Sequence, residues 1–143
     1  MRKFFLYAAL FLLCCSLPAQ GQTGDDLFLT ATAVYAEGQY AQAKALFAQL
    51  HEQNPDDDAV NYYLGLCEMA LRDLDGAETH LLQAVQADST NTWYIYAIAS
   101  LYDARRDQIR AADYIEKLVK MAPSLYNNPN TLSMIADAKA AAR

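Results

Sequence analysis

Residues 58–91 have the sequence DAVNYYLGLCEMALRDLDGAETHLLQAVQADSTN, and this stretch decides how the chain folds. Apolar residues recur in it at three- and four-residue steps, as they do along one face of an α-helix. The polar stretch 72–75 interrupts the pattern near its middle and indicates a short turn. The segment therefore predicts a helical hairpin.

The same pattern returns 34 residues earlier and 34 residues later. Small, large apolar and aromatic residues each recur with this spacing. A fixed period of this length indicates a stack of identical supersecondary units. We expect three hairpins, at about 24–57, 58–91 and 92–125. The recurring sets are Ala31, Gly65 and Ala99; Ala43, Ala77 and Ala111; Phe47, Leu81 and Ile115; and Phe28, Tyr62 and Tyr96.

Turn-forming residues separate the predicted hairpins. Asn54–Pro55 ends the first hairpin and Ala122–Pro123 ends the third, because the residue before a proline is pushed out of helical geometry. Ser89 takes the place of the proline in the second hairpin, within a polar turn cluster. Within the third hairpin, Asp107 is expected to cap the second helix.

One more amphipathic helix is predicted over residues 129–142. It begins at Pro129, a favoured first-turn residue, and Leu132, Ile135 and Ala138 share one of its sides. This helix is either a solvating cap for the stack or the opening helix of a fourth repeat in a longer chain. The residues leave both interpretations open.

These repeated residues resemble the tetratricopeptide repeat family, whose helix-turn-helix unit has this period. The segment EGQYAQAKALFAQLHEQNPDD at 37–57 is close to the family consensus. The resemblance implies an all-α fold, an α-solenoid of three hairpins plus a C-terminal helix within residues 24–143. Glu68 departs from the family pattern, because it stands where an aromatic residue is preferred. We expect Glu68 either to weaken one packing contact or to tilt toward solvent.

In the resembling family, the first helix of each hairpin lines a concave groove that binds peptides or protein segments. The resemblance places ten residues of this chain in such a groove. Trp and Tyr are favoured anchors at protein interfaces. Some family members hold a terminal carboxylate with cations in this groove, but no Lys or Arg stands at the matching positions here. The expected groove residues are Phe28, Thr32, Tyr35, Tyr62, Leu66, Met69, Trp93, Tyr96, Ser100 and Asp103.

A groove with this lining favours a partner protein or peptide with apolar side chains, presented on a helix or an extended segment. The net charge is −6, with 17 acidic and 11 basic residues. An acidic surface favours a partner with basic flanks and disfavours the phosphate backbone of nucleic acid. We therefore expect a protein partner and no nucleic acid.

The first 22 residues have the three parts of a secretory signal. Arg2 and Lys3 precede an apolar run, and a small-residue exit follows, with Ala19 or Gly21 before the expected cleavage. The apolar run is shorter than the roughly 20 residues that a membrane span needs. We expect an exported protein of the periplasm or cell envelope, attached to a membrane only if the segment stays uncleaved or is lipidated.

Cys14 and Cys15 add a second interpretation of this segment. They follow leucines at the end of the apolar run, in loose resemblance to a bacterial lipobox, and Cys15 is the better candidate for lipidation. Cleavage would leave 9 basic against 17 acidic residues, and it would leave Cys67 without a disulfide partner. Cys67 is expected to be a small buried thiol.

The chain shows no arrangement typical of an active site. No Ser or Cys nucleophile is placed near His51 or His80 by the sequence, and both histidines are expected at the solvated surface. His80 with Glu78 is too small a set for a metal. The run 56–58 lacks the alternating ligands and the glycine of a calcium loop. We expect no enzyme activity, no metal and no cofactor.

The sequence therefore predicts a non-enzymatic adaptor or scaffold of the cell envelope that binds another protein in an apolar, aromatic-lined groove. The alternative is the N-terminal repeat module of a larger envelope or outer-membrane assembly protein.

Overall fold

The computed structural model describes residues 23–141, apart from the side chains at positions 125, 126, 138 and 141. The expected signal segment and Cys15 lie outside the described residues. Throughout the described part, all regular structure is helical, which confirms the predicted all-α fold. The helices are α1 (Gly24–Ala36), α2 (Tyr40–Gln53), α3 (Asp58–Ala70), α4 (Leu74–Ala87), α5 (Thr92–Ala104), α6 (Gln108–Met121), a short 3₁₀ helix (Pro123–Asn127) and α7 (Pro129–Ala141).

The helices form three antiparallel hairpins, α1–α2, α3–α4 and α5–α6, followed by α7. Each second helix also packs against the first helix of the next hairpin, so that neighbouring hairpins stack along the chain. This arrangement is the predicted solenoid. Stacking is required because one hairpin cannot bury its own apolar face.

Side chains that accept hydrogen bonds from backbone amides fix where most of the helices begin. Asp57 accepts from the Val60 amide at 2.9 Å, and Asp107 accepts from the Arg110 amide at 3.1 Å. Such caps satisfy amides that have no partner inside the helix. The predicted capping role of Asp107 is confirmed. The other capping residues are Thr23, Asp73 and Asn91.

Each hairpin turn contains one residue in the left-handed backbone region. These residues are Gly38 (φ 78°), Arg72 (φ 66°) and Arg106 (φ 62°), and they are 34 positions apart. Glycine adopts this conformation without steric cost, whereas an L-residue with a Cβ is disfavoured there. The turn geometry therefore repeats even though the residue type does not.

The small residues of the repeat allow close contact between the two helices of a hairpin. Ala43, Ala77 and Ala111 are fully buried. A Cβ added to Gly65 would lie 2.5 Å from Leu81 Cγ across the α3–α4 contact, so this position requires glycine. The large apolar residues that recur beside them fill the space between helices.

The buried apolar residues form two clusters. The first joins α1, α2 and α3 around Phe47 and Leu64, and the second joins α4, α5, α6 and α7 around Leu81 and Ile98. The second hairpin thus contributes one helix to each cluster. Partly buried residues of α3, among them Leu66, pack against the second cluster and connect the two.

α7 covers α6, in the place that the first helix of a further hairpin would occupy. Its buried residues are Thr131 and Met134, and Ile135 is half-buried. Leu132 was predicted on the apolar side of this helix, and that prediction is wrong, because its side chain is 42% exposed. The side of α7 that packs against α6 carries Thr131 and Met134, each one position before the predicted Leu132 and Ile135.

Candidate peptide-binding groove

The first helices of the three hairpins lie side by side. α1 contacts α3, and α3 contacts α5, while the second helices pack behind them against their own and the following hairpin. The exposed sides of α1, α3 and α5 therefore form one continuous surface, which we call the groove. All ten residues predicted to line a groove lie on these three helices.

None of those ten side chains is fully buried. Nine are half-buried, and Trp93 is 69% exposed. Two of the polar ones bond locally, since Thr32 donates to the Leu29 carbonyl and Asp103 accepts from Gln108. The nine half-buried residues are Phe28, Thr32, Tyr35, Tyr62, Leu66, Met69, Tyr96, Ser100 and Asp103.

Aromatic rings make a connected row across the three helices of the groove. Phe28 of α1 meets Tyr63 of α3 edge to face, with ring centroids 5.7 Å apart. Tyr63 meets its neighbour Tyr62 at 5.3 Å, and Tyr62 meets Tyr94 of α5 at 4.9 Å. Edge and tilted contacts of this kind are favoured geometries for aromatic pairs. The row fixes the positions of rings that also face the groove.

Sequence reasoning missed Tyr63 and Tyr94. Tyr63 stacks on Phe47 at 5.0 Å and belongs to a set of residues 34 apart, Leu29, Tyr63 and Ala97. That set directly follows the predicted set of Phe28, Tyr62 and Tyr96. The set combines an exposed leucine, a half-buried tyrosine and a buried alanine, so the repeat gives no signal for Tyr63. Tyr94 is buried, and only the packing of α5 against α3 shows its contact with Tyr62.

Tyr62 and Tyr94 have raised pKa values and therefore remain neutral at physiological pH. Burial, together with the neighbouring Tyr35 and Tyr63, raises the pKa of Tyr62 to about 12. The pKa of Tyr94 is also raised, first by burial and then by its hydrogen bond to Asp58, to which its hydroxyl donates at 3.1 Å. A neutral phenol keeps its proton as a hydrogen-bond donor. The groove therefore combines apolar rings with a few hydroxyl donors.

The Asp, Glu, Lys and Arg residues of the three groove-forming helices are all acidic. α1, α3 and α5 contain five carboxylates and no lysine or arginine. A carboxylate-binding clamp needs cationic side chains, and these three helices supply none. The carboxylates are Asp25, Asp26, Asp58, Glu68 and Asp103.

Residues 34–101, which run from the end of α1 through α3 to most of α5, match the tetratricopeptide repeat family model. Residues 34–101 are therefore tetratricopeptide repeat sequence. Among curated proteins, none matches the chain by sequence.

Solved tetratricopeptide repeat structures have the same fold. The first repeat domain of Spaghetti (RPAP3), bound to an HSP90 peptide, is 15% identical with a TM-score of 0.74, over 88% of this chain and 98% of that one. The Yersinia enterocolitica type III secretion chaperone SycD, in complex with a peptide of the translocator YopD, is 18% identical with a TM-score of 0.74, over 88% and 99%. The Arabidopsis OM64 repeat domain is 12% identical with a TM-score of 0.74, over 84% and 97%.

Glu68 of the second repeat is buried at 3% exposure, so the expectation that it tilts toward solvent is wrong. Its carboxylate lies 3.0 Å from Lys44 Nζ of α2 and 2.7 Å from His80 Nδ1 of α4. Three helices are therefore joined through one buried carboxylate, behind the groove.

The two histidines of the repeats are half-buried rather than solvated, which corrects the sequence expectation. His51 meets His80 edge to face, with ring centroids 5.3 Å apart, and the second repeat's Glu68 holds His80 on its other side. The arrangement is structural, because it joins α2 to α4. Within residues 23–141, no group of three or more His, Cys, Asp or Glu side chains is placed to hold a metal ion.

Cys67 is fully buried and is a free thiol, as predicted. Burial, followed by the neighbouring Glu68 carboxylate, raises its pKa to about 11. A thiol with so high a pKa is a poor nucleophile at neutral pH. Across the same described range, none of the helices is both long and apolar enough to span a membrane.

Proposed function

We propose that this protein is a non-enzymatic adaptor of the cell envelope that binds an apolar segment of another protein in the groove. The observation that supports it best is the row of aromatic rings across α1, α3 and α5, in which Phe28, Tyr62 and Tyr63 are half-buried and Tyr94 is buried, with Trp93 standing 69% exposed beside it. A ring exposed to this extent adds little to folding. At an interface, however, it is a favoured anchor.

Two structures of similar fold support a peptide as the ligand. The RPAP3 domain and SycD were each solved with a peptide of another protein. The groove of this chain lacks the cations that would select a terminal carboxylate, so an internal apolar segment suits it better.

Photo-crosslinking from defined positions tests this proposal. A residue with a benzophenone side chain replaces Trp93 in one variant and Ile109 in the other. Ile109 is the control position, because it is 73% exposed on α6 and lies outside the groove. We expect Trp93 to give a discrete crosslinked partner in the native envelope, and Ile109 to give none. The Tyr62→Ala variant should reduce the crosslink from Trp93. Equal products from both positions would contradict the proposal.

The location in the envelope rests on the N-terminal residues and has its own test. We expect the protein in the periplasmic or membrane fraction of a bacterial host, with the signal segment removed after Ala19 or Gly21 unless the chain is lipidated. Labelling with palmitate that is lost in the Cys15→Ser variant would assign lipidation. Recovery of the intact 143-residue chain in the cytoplasm would contradict export.

A further inference from the structure

A cavity of about 310 Å³ lies at the end of the groove, where α5 meets α7. Trp93 stands exposed at its edge, while Thr131 of α7 is 1% exposed and closes it. Recesses closed on one side and edged by an exposed indole are favoured places for an anchoring side chain. The complete lining is Thr92, Trp93, Tyr96, Asn128 and Thr131.

Three carboxylates lie near Tyr94, which follows the pocket residue Trp93 in α5. Tyr94 donates its hydroxyl to Asp58 at 3.1 Å. Asp88 and Asp57 are also close enough to raise the pKa of Tyr94, after burial and the bond to Asp58. Hydrogen bonds from Thr90 lower the pKa of Asp88, so that it is charged at neutral pH.

Within residues 23–141, the groove-forming helices and the segments that connect the hairpins supply no cation to offset these carboxylates. α1, α3 and α5 contain no lysine or arginine, and neither do the segments 54–57, 88–91 and 122–128 that connect the hairpins. Opposite charges across an interface speed encounter and select partners, and like charges exclude them. The end of the groove at which α3 and α5 begin therefore attracts cations and repels anions.

We infer that this pocket takes one aromatic or large aliphatic side chain of a partner segment, with lysine or arginine beside that side chain in the partner. The inference rests on the proposed function and specifies which partner segments the groove accepts. The apolar anchor fills the pocket beside Trp93, and the basic neighbours face Asp57, Asp58 and Asp88.

Trp93 also provides the readout, because the chain contains one tryptophan. The protein, expressed from the complete 143-residue sequence, is titrated with amidated ten-residue peptides that lack tryptophan. In the basic set, Phe or Leu is the anchor residue and lies between lysines and arginines. Two matched sets keep this anchor and replace the basic residues by serines (the neutral set) or by glutamates (the acidic set). A further matched set keeps the basic residues and has alanine in place of the anchor. We expect the basic, anchored set to shift the emission of Trp93 and to bind at least about tenfold more tightly than the acidic set at low salt.

Variants separate the anchor from the charges. The Trp93→Ala variant, followed by calorimetry, should bind the basic set at least about tenfold more weakly, whereas Ile109→Ala should bind normally. The triple variant Asp57→Asn, Asp58→Asn, Asp88→Asn keeps oxygen acceptors at all three positions. It should lose about three- to tenfold in affinity for the basic set only. The control triple variant Glu37→Gln, Asp113→Asn, Asp137→Asn removes the same charge elsewhere on the exposed surface and should bind normally.

Each other outcome overturns the inference. If all three charge classes bind equally, or if Trp93→Ala binds normally while Tyr62→Ala does not, the groove binds peptides but this pocket does not select them. If no set binds, the proposed function fails as well. A dimer of the free protein that shields Trp93 from a soluble quencher would assign the pocket to a second copy of the chain.

Discussion

At the scale of single residues, the turn positions show how a repeat tolerates substitution. Gly38, Arg72 and Arg106 occupy the same place in the three hairpins and share a positive φ. Arginine is strained there, by about 1–2 kcal/mol relative to glycine in the folded state. The side chains of Arg72 and Arg106 are exposed, so that no packing depends on them.

Replacing either arginine by glycine should therefore stabilise the protein. Glycine loses about 0.5–1 kcal/mol more in chain entropy on folding, which leaves a net gain of about 0.5–1 kcal/mol for Arg72→Gly or Arg106→Gly. Urea denaturation followed by circular dichroism measures this gain. Gly38→Ala, the reverse change at the matching position, should destabilise. Unchanged or lower stability in both glycine variants would contradict the prediction.

At the scale of the helix, capping links the stability of this fold to pH. Asp73 accepts from the Gly76 amide at 3.1 Å, and this bond, followed by Lys44, lowers the pKa of Asp73. The pKa of Asp107 is lowered first by the side chain of Arg110 and then by its amide. Both carboxylates sit at the start of a second helix, α4 or α6. Ionised caps therefore favour the folded state.

The sign of the pH dependence follows from these lowered pKa values. Near and below pH 3.8, the ordinary pKa of Asp, the unfolded chain binds more protons at these positions than the folded one. The stabilisation is present above pH 3.8 and is lost as the pH falls through the lower folded-state pKa values. The double variant Asp73→Asn, Asp107→Asn should show a weaker loss of thermal stability on acidification. The control variant Asp113→Asn, at an exposed position of α6, should lose thermal stability on acidification as the wild type does. If the double variant also loses as much thermal stability as the wild type, the prediction is contradicted.

At the scale of the whole molecule, one buried polar cluster joins the two apolar clusters of the core. The Glu68 carboxylate pairs with Lys44 of α2 and with His80 of α4. This cluster lies between the first apolar cluster and the second. Lys44 keeps a second carboxylate, Asp73 at 3.3 Å, whereas His80 has Glu68 as its ion-pair partner. Removing the buried carboxylate therefore weakens the pairing of Lys44 and leaves the partly buried His80 without this hydrogen bond.

We expect Glu68→Gln to lower the free energy of unfolding by about 1–3 kcal/mol, because the amide keeps the shape but not the charge. Thermal and urea unfolding measure the change. Glu116 pairs with Lys120 on the solvated surface of α6, and Glu116→Gln should change stability little. Equal stability of the two variants would show that the buried cluster adds nothing.

The sequence by itself determined the hairpins, the stack and the helices that line the groove. Helical spacing and the 34-residue period are local patterns, and Ala43, Ala77 and Ala111 repeat them without reference to the fold. The family resemblance, and not the period alone, placed the ten candidate groove residues on these helices, and the preference of aspartate for helix starts predicted the cap at Asp107.

Only the tertiary structure decided what happens where helices from different repeats meet. It buried Glu68 between Lys44 and His80, brought Tyr94 to Asp58, and closed a pocket beside Trp93 with α7. Periodicity assigns a side chain to a face of its own helix. The distance from that face to a residue 12 or 36 positions away depends on how the helices pack, and no local pattern contains that distance.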